Sequence, residues 1–175
     1  MKRKAYDGVY NRYIKRGIDF CLALIGLVIA AIPMAIVAIA IKAESKGPVI
    51  FKQDRIGYKG KVYKMYKFRS MCVGAEKGGV YSDNKDSRVT KVGKFIRATS
   101  IDELPQLLNV LKGDMTFVGP RPEMIKNVKE YTEELPEFEY RLRMKAGLTG
   151  YAQIRGKYNT TPKDKLIMDM MYIEQ

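Results

Sequence analysis

The chain has 175 residues and a net charge of +13 at pH 7, from 32 Lys and Arg residues against 19 Asp and Glu residues. It contains no histidine and two cysteines, which excludes a histidine base, a disulfide framework and a cysteine-rich zinc site. A chain of this length can form one compact domain with an appendage, and its positive field favours nucleic acid, an anionic membrane surface or a phosphorylated substrate.

The N-terminal part of the chain is typical of a membrane segment. Residues 1–17 are basic and are predicted to lie at the membrane interface beside anionic lipids. Residues 20–41 then carry no charged side chain. A straight helix of that length measures about 33 Å, enough to cross a hydrocarbon core of about 30 Å. The segment lacks a small-residue cleavage site, so we expect it to remain in the mature protein.

Pro33 interrupts the apolar segment and leaves two paths through the membrane. Proline lacks an amide hydrogen and clashes with the preceding turn, so a helix kinks or breaks there. Basic residues flank the segment on both sides, and the positive-inside rule therefore favours both ends in the cytoplasm. We predict a re-entrant hairpin over residues 18–41, broken at Pro33. A kinked spanning helix is the alternative that the residues leave open.

Residues 42–175 are predicted to form a cytoplasmic catalytic domain of mixed α/β, mainly helical structure. Residues 49–53 and 62–68 are typical of strands joined by a glycine-containing turn, which predicts a small β-hairpin. Residues 74–90 are predicted to form a long loop. Amphipathic helices, expected at the membrane interface, are predicted over residues 104–111, ending at Gly113, over residues 123–135, and from Thr161-Pro162 onward with an apolar face of Leu166, Ile167, Met170 and Met171.

Asp102 and Glu103 are the main candidates for chemistry, and they have two interpretations. Ser100-x-x-Glu103 matches a capping box, in which the two acids only stabilise a helix start. Alternatively, the amides of a helix start bind phosphate oxygens, and Asp102 then attacks that phosphate as a nucleophile. Glu103, with Asp102, would hold Mg²⁺, because a metal without histidine or cysteine ligands should be a hard, oxygen-ligated ion.

Basic residues support the second interpretation. Arg97 lies five residues before Asp102, and Lys67 and Arg69 lie at the end of the second predicted strand. Arg121 stands between two prolines that fix its backbone. Each cation alone is more typical of a solvated surface charge. Together, these cations could bind the negative charges of a diphosphate.

Longer motifs resemble a known family. They are residues 67–71, 86–97, 100–115, 118–122 and 147–153. These segments are similar to bacterial sugar transferases, the monotopic polyprenyl-phosphate phosphoglycosyl transferases, over roughly residues 12–172. The resemblance implies transfer of a sugar-1-phosphate from a UDP-sugar to undecaprenyl phosphate, with release of UMP. This reaction initiates bacterial capsule, exopolysaccharide or related glycan assembly.

The resemblance also implies roles for individual residues. Asp102 would take the phosphosugar covalently and Glu103 would be its Mg²⁺-associated partner. Substrate contacts are implied for five cations: Lys67, Arg69, Arg88, Arg97 and Arg121. The family's re-entrant helix, broken at a proline, supports the hairpin at Pro33 and a monotopic location on the cytoplasmic face of the bacterial inner membrane. A homodimer is left open.

Three features depart from the family pattern. Ala146 stands where the family usually has proline, and Tyr151 stands where it usually has tryptophan. The pattern around residues 169–172 normally continues into a further segment, so a chain ending at Gln175 is expected to be truncated. From the resemblance, the chain is otherwise expected to correspond to the minimal catalytic form of the family.

Two other functions are alternatives. The charge of +13 would suit a membrane-anchored binder of nucleic acid or anionic lipid. That function gives no reason for adjacent acids among cations, so nucleic acid is not expected as a partner. A non-catalytic assembly subunit anchored by the hairpin would require neither nucleotide nor Mg²⁺.

Overall fold

A computed structural model of the chain describes residues 8–75, 86–156 and 160–174. The fold is mixed α/β and mostly helical, as predicted. A π-helical segment, Tyr10–Ile14, leads into a long helix, α1 (Lys15–Glu44). The helices that follow are α2 (Lys91–Ala98), α3 (Gln106–Lys112), α4 (Ile125–Glu134), α5 (Tyr151–Arg155) and α6 (Pro162–Ile173). Parts of the predicted N-terminal segment (residues 1–7) and long loop (residues 76–85), and the chain end at Gln175, lie outside the described residues.

The strands form two separate pairs. The predicted hairpin is confirmed: β1 (Ile50–Ile56) pairs antiparallel with β2 (Val62–Phe68). The second pair, β3 (Met115–Val118) and β4 (Ala146–Thr149), is parallel and was not predicted. Each of these strands has four residues, which is too short to show a clear period of two. Ala146, at one of the family departures, pairs with Met115 at the start of β4.

Helix α1 remains helical through Pro33. The proline therefore does not divide the apolar segment into two helices with a non-helical break between them, which the hairpin prediction required. The missing amide of Pro33 is compatible with a bend in a continuous helix. Among the described residues, Tyr10–Glu44 is long and apolar enough to cross a membrane, by length and composition alone.

One face of α1 packs against the rest of the fold at both ends of the helix. Ala23, near its start, lies in a buried cluster with Val110 of α3. Ile41, near its end, lies in a second cluster with Ile96 of α2. The other face is uncovered, and Ile29 is 74% exposed. Its large exposed side chains are Ile18, Phe20, Leu22, Leu24, Ile25, Val28, Ile29, Ile32, Ile36 and Ile39.

Polar contacts attach the start of α1 to the domain. The Lys15 ammonium and the Thr116 hydroxyl both donate to the buried Asp19 carboxylate. Arg16 donates to the carbonyls of Val110 and Leu111 at 2.5 and 2.6 Å, at the end of α3. Lys15 and Arg16 belong to the predicted interfacial segment, yet their charged groups bind the protein itself.

Polar contacts also attach the end of α1. The Glu44 carboxylate accepts hydrogen bonds from the first amides of α2, Lys91 at 2.7 Å and Val92 at 3.0 Å. Arg69, after β2, donates to the Ser45 carbonyl at 2.8 Å and the Lys46 carbonyl at 3.0 Å. Both ends of the apolar helix are therefore held by the same domain.

The predicted helix ends are largely confirmed. Helix α3 ends at Gly113, which has a left-handed φ of 88°, and Thr161 forms a capping box with Asp164 at the start of α6. The predicted apolar face of α6 is confirmed only in part: Leu166 is buried and Met170 is half-buried. Ile167 and Met171 are exposed, whereas Asp169 is 1% exposed, because its carboxylate pairs with a buried arginine.

Gly119 and Gly147 allow the segment that follows β3 to lie very close to β4. A Cβ built on Gly147 would lie 2.2 Å from the Gly119 nitrogen. We expect Gly147→Ala to lower the free energy of unfolding by about 1–3 kcal/mol, as overpacking typically does. Gly17→Ala in α1 is the matched control, because its Cβ would meet nothing within 4 Å; it should be neutral or stabilise by up to about 1 kcal/mol. Unfolding of both variants in detergent measures this difference, and equal stabilities would contradict the role of Gly147.

Candidate functional site

Asp102 and Glu103 lie on a one-turn 3-10 helix, Ile101–Glu103, between α2 and α3. The predicted capping box at this point is wrong. Ser100 adopts a left-handed φ of 57°, its side chain makes no capping hydrogen bond, and α3 begins only at Gln106. The turn is instead closed by the Glu103 amide donating to the Ser100 carbonyl at 3.1 Å. The Glu103 carboxylate is therefore free to bind a cation from another element.

That cation is Lys67, near the end of β2. Its ammonium nitrogen lies 2.6 Å from Glu103 Oε1, and the guanidinium of Arg121 approaches the same oxygen at 4.0 Å. The Lys67 and Glu103 side chains are partly buried, so salt screens their attraction less than it screens a fully exposed surface pair. Glu103 thus draws two cations from distant parts of the chain to the position beside Asp102.

Asp102 is only 9% exposed. Burial raises the pKa of its carboxyl, the nearby charge of Lys67 lowers it, Glu103 raises it and Arg97 lowers it. Arg97 is in the last turn of α2, and its buried Nη1 has no hydrogen-bond partner among the described residues. The site therefore combines a poorly hydrated carboxylate with a guanidinium nitrogen that can still donate to an anion.

The charges of this cluster suit an anionic ligand. Two carboxylates, Asp102 and Glu103, lie with three cations, Lys67, Arg97 and Arg121, so the group has a net charge of +1. A substrate diphosphate would be attracted to it, whereas an isolated pair of acids would repel it.

The cluster lies against the apolar helix. Ile101, the residue before Asp102, and Phe68, the residue after Lys67, both pack in the cluster formed by Val37 and Ile41 of α1. The carboxylate pair is therefore next to the second half of α1, whose opposite face is exposed and apolar.

Two predicted substrate-binding residues direct their hydrogen bonds elsewhere. Arg69 is 7% exposed and binds the chain after α1. Arg88 pairs with Asp86 at 2.6 Å and donates to the Ala75 carbonyl at 2.7 Å; its hydrogen bonds lower the pKa of Asp86 to about 2. The structure brings Lys67, Arg97 and Arg121 to the carboxylates, and it engages Arg69 and Arg88 in other contacts.

Sequence reasoning missed a buried ionic group behind Arg121. Arg141 pairs with Asp169 at 2.8 Å and approaches Glu123 at 3.8 Å, and Lys165 lies 3.2 Å from Glu123. Burial raises the pKa of Asp169 to about 6, and the charge of Arg141 opposes that rise. The sequence contains one signal of this group: Asp169 lies within the apolar pattern of α6. A buried acid usually has a cationic partner.

The carboxylate pair fits Mg²⁺ only in combination with a substrate. The described residues contain no group of three or more His, Cys, Asp or Glu side chains that could hold a metal. Mg²⁺ is commonly bound by one or two carboxylates together with substrate phosphates and waters. Asp102 and Glu103 supply that number of carboxylates, so the donor set suits an ion that is also coordinated by a diphosphate.

Comparisons with known proteins agree with these features. The family described as bacterial sugar transferase matches residues 10–175. An Aeromonas hydrophila UDP-N-acetylgalactosamine-undecaprenyl-phosphate N-acetylgalactosaminephosphotransferase is 43% identical over 93% of the chain. An Escherichia coli UDP-glucose:undecaprenyl-phosphate glucose-1-phosphate transferase is 42% identical over 94% of the chain. A Bacillus subtilis protein, provisionally named as an undecaprenyl-phosphate N-acetylgalactosaminyl 1-phosphate transferase, is 52% identical over 74% of the chain.

The relatives differ in length. The matched region covers 39% of the Aeromonas protein and 37% of the E. coli protein, but 73% of the Bacillus protein. The chain thus spans well under half the length of two of these relatives.

Proposed function

The chain belongs to the bacterial sugar transferase family, and from this we propose that it transfers a sugar-1-phosphate from a UDP-sugar to undecaprenyl phosphate and releases UMP. The names of its relatives support this reaction class. The observation that carries the proposal is a buried carboxylate, Asp102, among three cations and beside an exposed apolar helix. A phosphate-transferring nucleophile is thereby next to a surface suited to a lipid-linked acceptor.

In the first proposed step, a carboxylate oxygen of Asp102 attacks the sugar-bearing phosphorus of the UDP-sugar. A bond forms between that oxygen and phosphorus, the bond from phosphorus to the UMP oxygen breaks, and UMP leaves with the electron pair. Lys67, Arg97 and Arg121 can neutralise the phosphate oxygens during this step. Because the side chain of Asp102 is already poorly hydrated, little water must be removed before it attacks.

In the second proposed step, an oxygen of undecaprenyl phosphate attacks the same phosphorus. The bond from phosphorus to Asp102 breaks, which restores the carboxylate and yields the lipid diphosphate sugar. Mg²⁺ held by Glu103 and the substrate phosphates, and by Asp102 when its carboxylate is free, would screen the negative charges of the reacting groups. Lys67 keeps Glu103 in place through their contact at 2.6 Å.

The attachment of α1 supports a monotopic arrangement on the cytoplasmic face of the inner membrane. Asp19 and Ile41 both contact the domain, and about 33 Å of helix lies between them. A spanning helix would separate these contacts by a hydrocarbon core of about 30 Å. Both ends of α1 therefore belong on the same side of the membrane, with the exposed face of the helix in lipid. The basic residues that flank the helix favour the cytoplasmic side.

This topology predicts a labelling pattern. After replacement of the free, exposed cysteines Cys21 and Cys72 with serine, single cysteines are introduced at Tyr13 and Lys46. A membrane-impermeant maleimide should label neither position in intact spheroplasts and both in inside-out vesicles. Labelling of one position from each side would show that α1 spans the membrane.

The reaction is tested by measuring UMP release from UDP-glucose and UDP-N-acetylgalactosamine, the donor types of the relatives, with undecaprenyl phosphate and Mg²⁺. The purified chain should release UMP with at least one UDP-hexose and form the corresponding lipid product. Absence of both products across a panel of UDP-sugars would refute the proposed function, and would favour a non-catalytic assembly protein if the chain remained folded.

A further inference from the structure

The loop that carries Arg121 is anchored through its backbone carbonyls. Pro120 and Pro122 have no amide hydrogen, so the loop cannot be fixed by donors at these two positions. Instead, four consecutive carbonyls each accept a hydrogen bond from another element. Pro120 accepts from the Gly147 amide at 2.9 Å, Arg121 from Arg141 Nη2 at 2.7 Å, Pro122 from Arg55 Nη1 at 3.1 Å, and Glu123 from the Ile56 amide at 3.3 Å.

Arg141 is the most deeply buried side chain among these donors. It is 3% exposed, and its guanidinium lies over the ring of Phe138 at 4.7 Å. Asp169 of α6 binds it at 2.8 Å, and Glu123, two residues after Arg121, lies 3.8 Å away. Arg141 is therefore fixed by charges on two sides while it donates to the Arg121 carbonyl.

Among the described residues, the Arg121 side chain forms a long ion pair with Glu103, so its position depends on the loop that carries it. It is 50% exposed, and its guanidinium is 4.0 Å from Glu103 Oε1. That distance is at the limit of an ion pair, so a small tilt of the loop would move the guanidinium away from Glu103. The hydrogen bond from Arg141 resists such a tilt.

We propose that Arg141, held by Asp169 and Glu123, is a positioning residue that keeps Arg121 beside Glu103 and the diphosphate of the bound UDP-sugar. This proposal rests on the proposed function. Arg141 does not touch the reacting atoms; it acts through the backbone of Arg121. Its effect on the reaction should therefore be present only when Arg121 has its own side chain.

A double-mutant cycle tests this dependence. Arg141→Lys keeps the buried charge but replaces the planar guanidinium, whose Nη2 lies 2.7 Å from the Arg121 carbonyl and 2.8 Å from Asp169, with a shorter side chain ending in a single ammonium group. It should lower kcat/KM for UMP release about tenfold, mainly through a higher KM for the UDP-sugar. In an Arg121→Ala background the same change should have an effect of less than about twofold. Equal fold-effects in both backgrounds would overturn the proposal, since they would indicate a general structural role.

The experiment includes a control variant and a second test variant. Arg143→Lys is the matched control, because Arg143 is exposed two residues further along the same segment and stacks on Tyr140 at 4.5 Å; it should leave kcat/KM unchanged. If Arg141→Lys does not fold, Asp169→Asn, which removes the charge that holds Arg141 at 2.8 Å, should show the same dependence on Arg121, and equal fold-effects in both backgrounds would again overturn the proposal. A wild-type chain that releases no UMP would refute the proposed function, whereas an active wild type with independent effects would refute only the role of Arg141.

Discussion

Asp102→Asn is expected to lower UMP release by about 10⁴-fold or more, as loss of a covalent nucleophile typically does. An uncharged amide cannot form the acyl phosphate that a carboxylate forms. A labelled sugar phosphate should also remain attached to the wild-type chain when undecaprenyl phosphate is omitted, and should not attach to the variant. Near-normal turnover by Asp102→Asn would exclude the covalent route.

The same variant should fold at least as stably as the wild type. Burial raises the pKa of Asp102, so the folded state holds this proton more tightly than the unfolded state does. The resulting contribution to stability is present at low pH and is lost as pH rises through the folded pKa. At neutral pH the ionised side chain therefore costs stability, and asparagine removes that cost. Asp54→Asn on β1, where the carboxylate is 51% exposed, is a matched control that should change neither activity nor stability appreciably.

Glu103→Gln is expected to lower UMP release by about 100-fold and to raise the Mg²⁺ concentration needed for half-maximal rate. Glutamine removes the charge that holds Lys67 at 2.6 Å and attracts Arg121. It also removes one of the two carboxylates available to an ion bound with the diphosphate. Steady-state rates over a Mg²⁺ titration separate these effects, because the half-maximal concentration shifts only if the ion is bound at Glu103.

Glu130→Gln is the matched control for this change, since Glu130 is exposed on α4. It should leave both the rate and the Mg²⁺ dependence at wild-type values. A Glu103→Gln variant with unchanged Mg²⁺ dependence and a normal rate would show that Glu103 is dispensable for metal and substrate binding.

Local sequence signals were sufficient where an element is determined by its own residues. The left-handed glycine at Gly113 ends α3, and the Thr161 capping box begins α6. The hairpin of β1 and β2 was also predicted, because its strands are long enough to show their composition and are joined by a short turn. The predicted capping box at Ser100 was wrong, although its residues match the motif. Ser100 adopts a left-handed conformation, and backbone atoms close the turn.

Contacts between distant segments were not predicted. Four-residue strands such as β3 and β4 carry little pattern and are stabilised by the pairing itself. The burial of Asp169 follows from Arg141, which lies on a different element. Lys67 and Arg69 are two residues apart, and the sequence predicts the same substrate-binding role for both. In the structure, Arg69 binds the chain at the end of α1 and Lys67 binds Glu103.

The sequence alone indicated the candidate pair Asp102-Glu103, the apolar segment and the family resemblance, because each is recorded in the order and type of neighbouring residues. Only the tertiary structure decided which cations reach the pair and that both ends of α1 are held by one domain. The physical reason is that a charge partner is selected by distance in space: Lys67 and Glu103 are 36 residues apart along the chain, yet their charged atoms lie 2.6 Å apart.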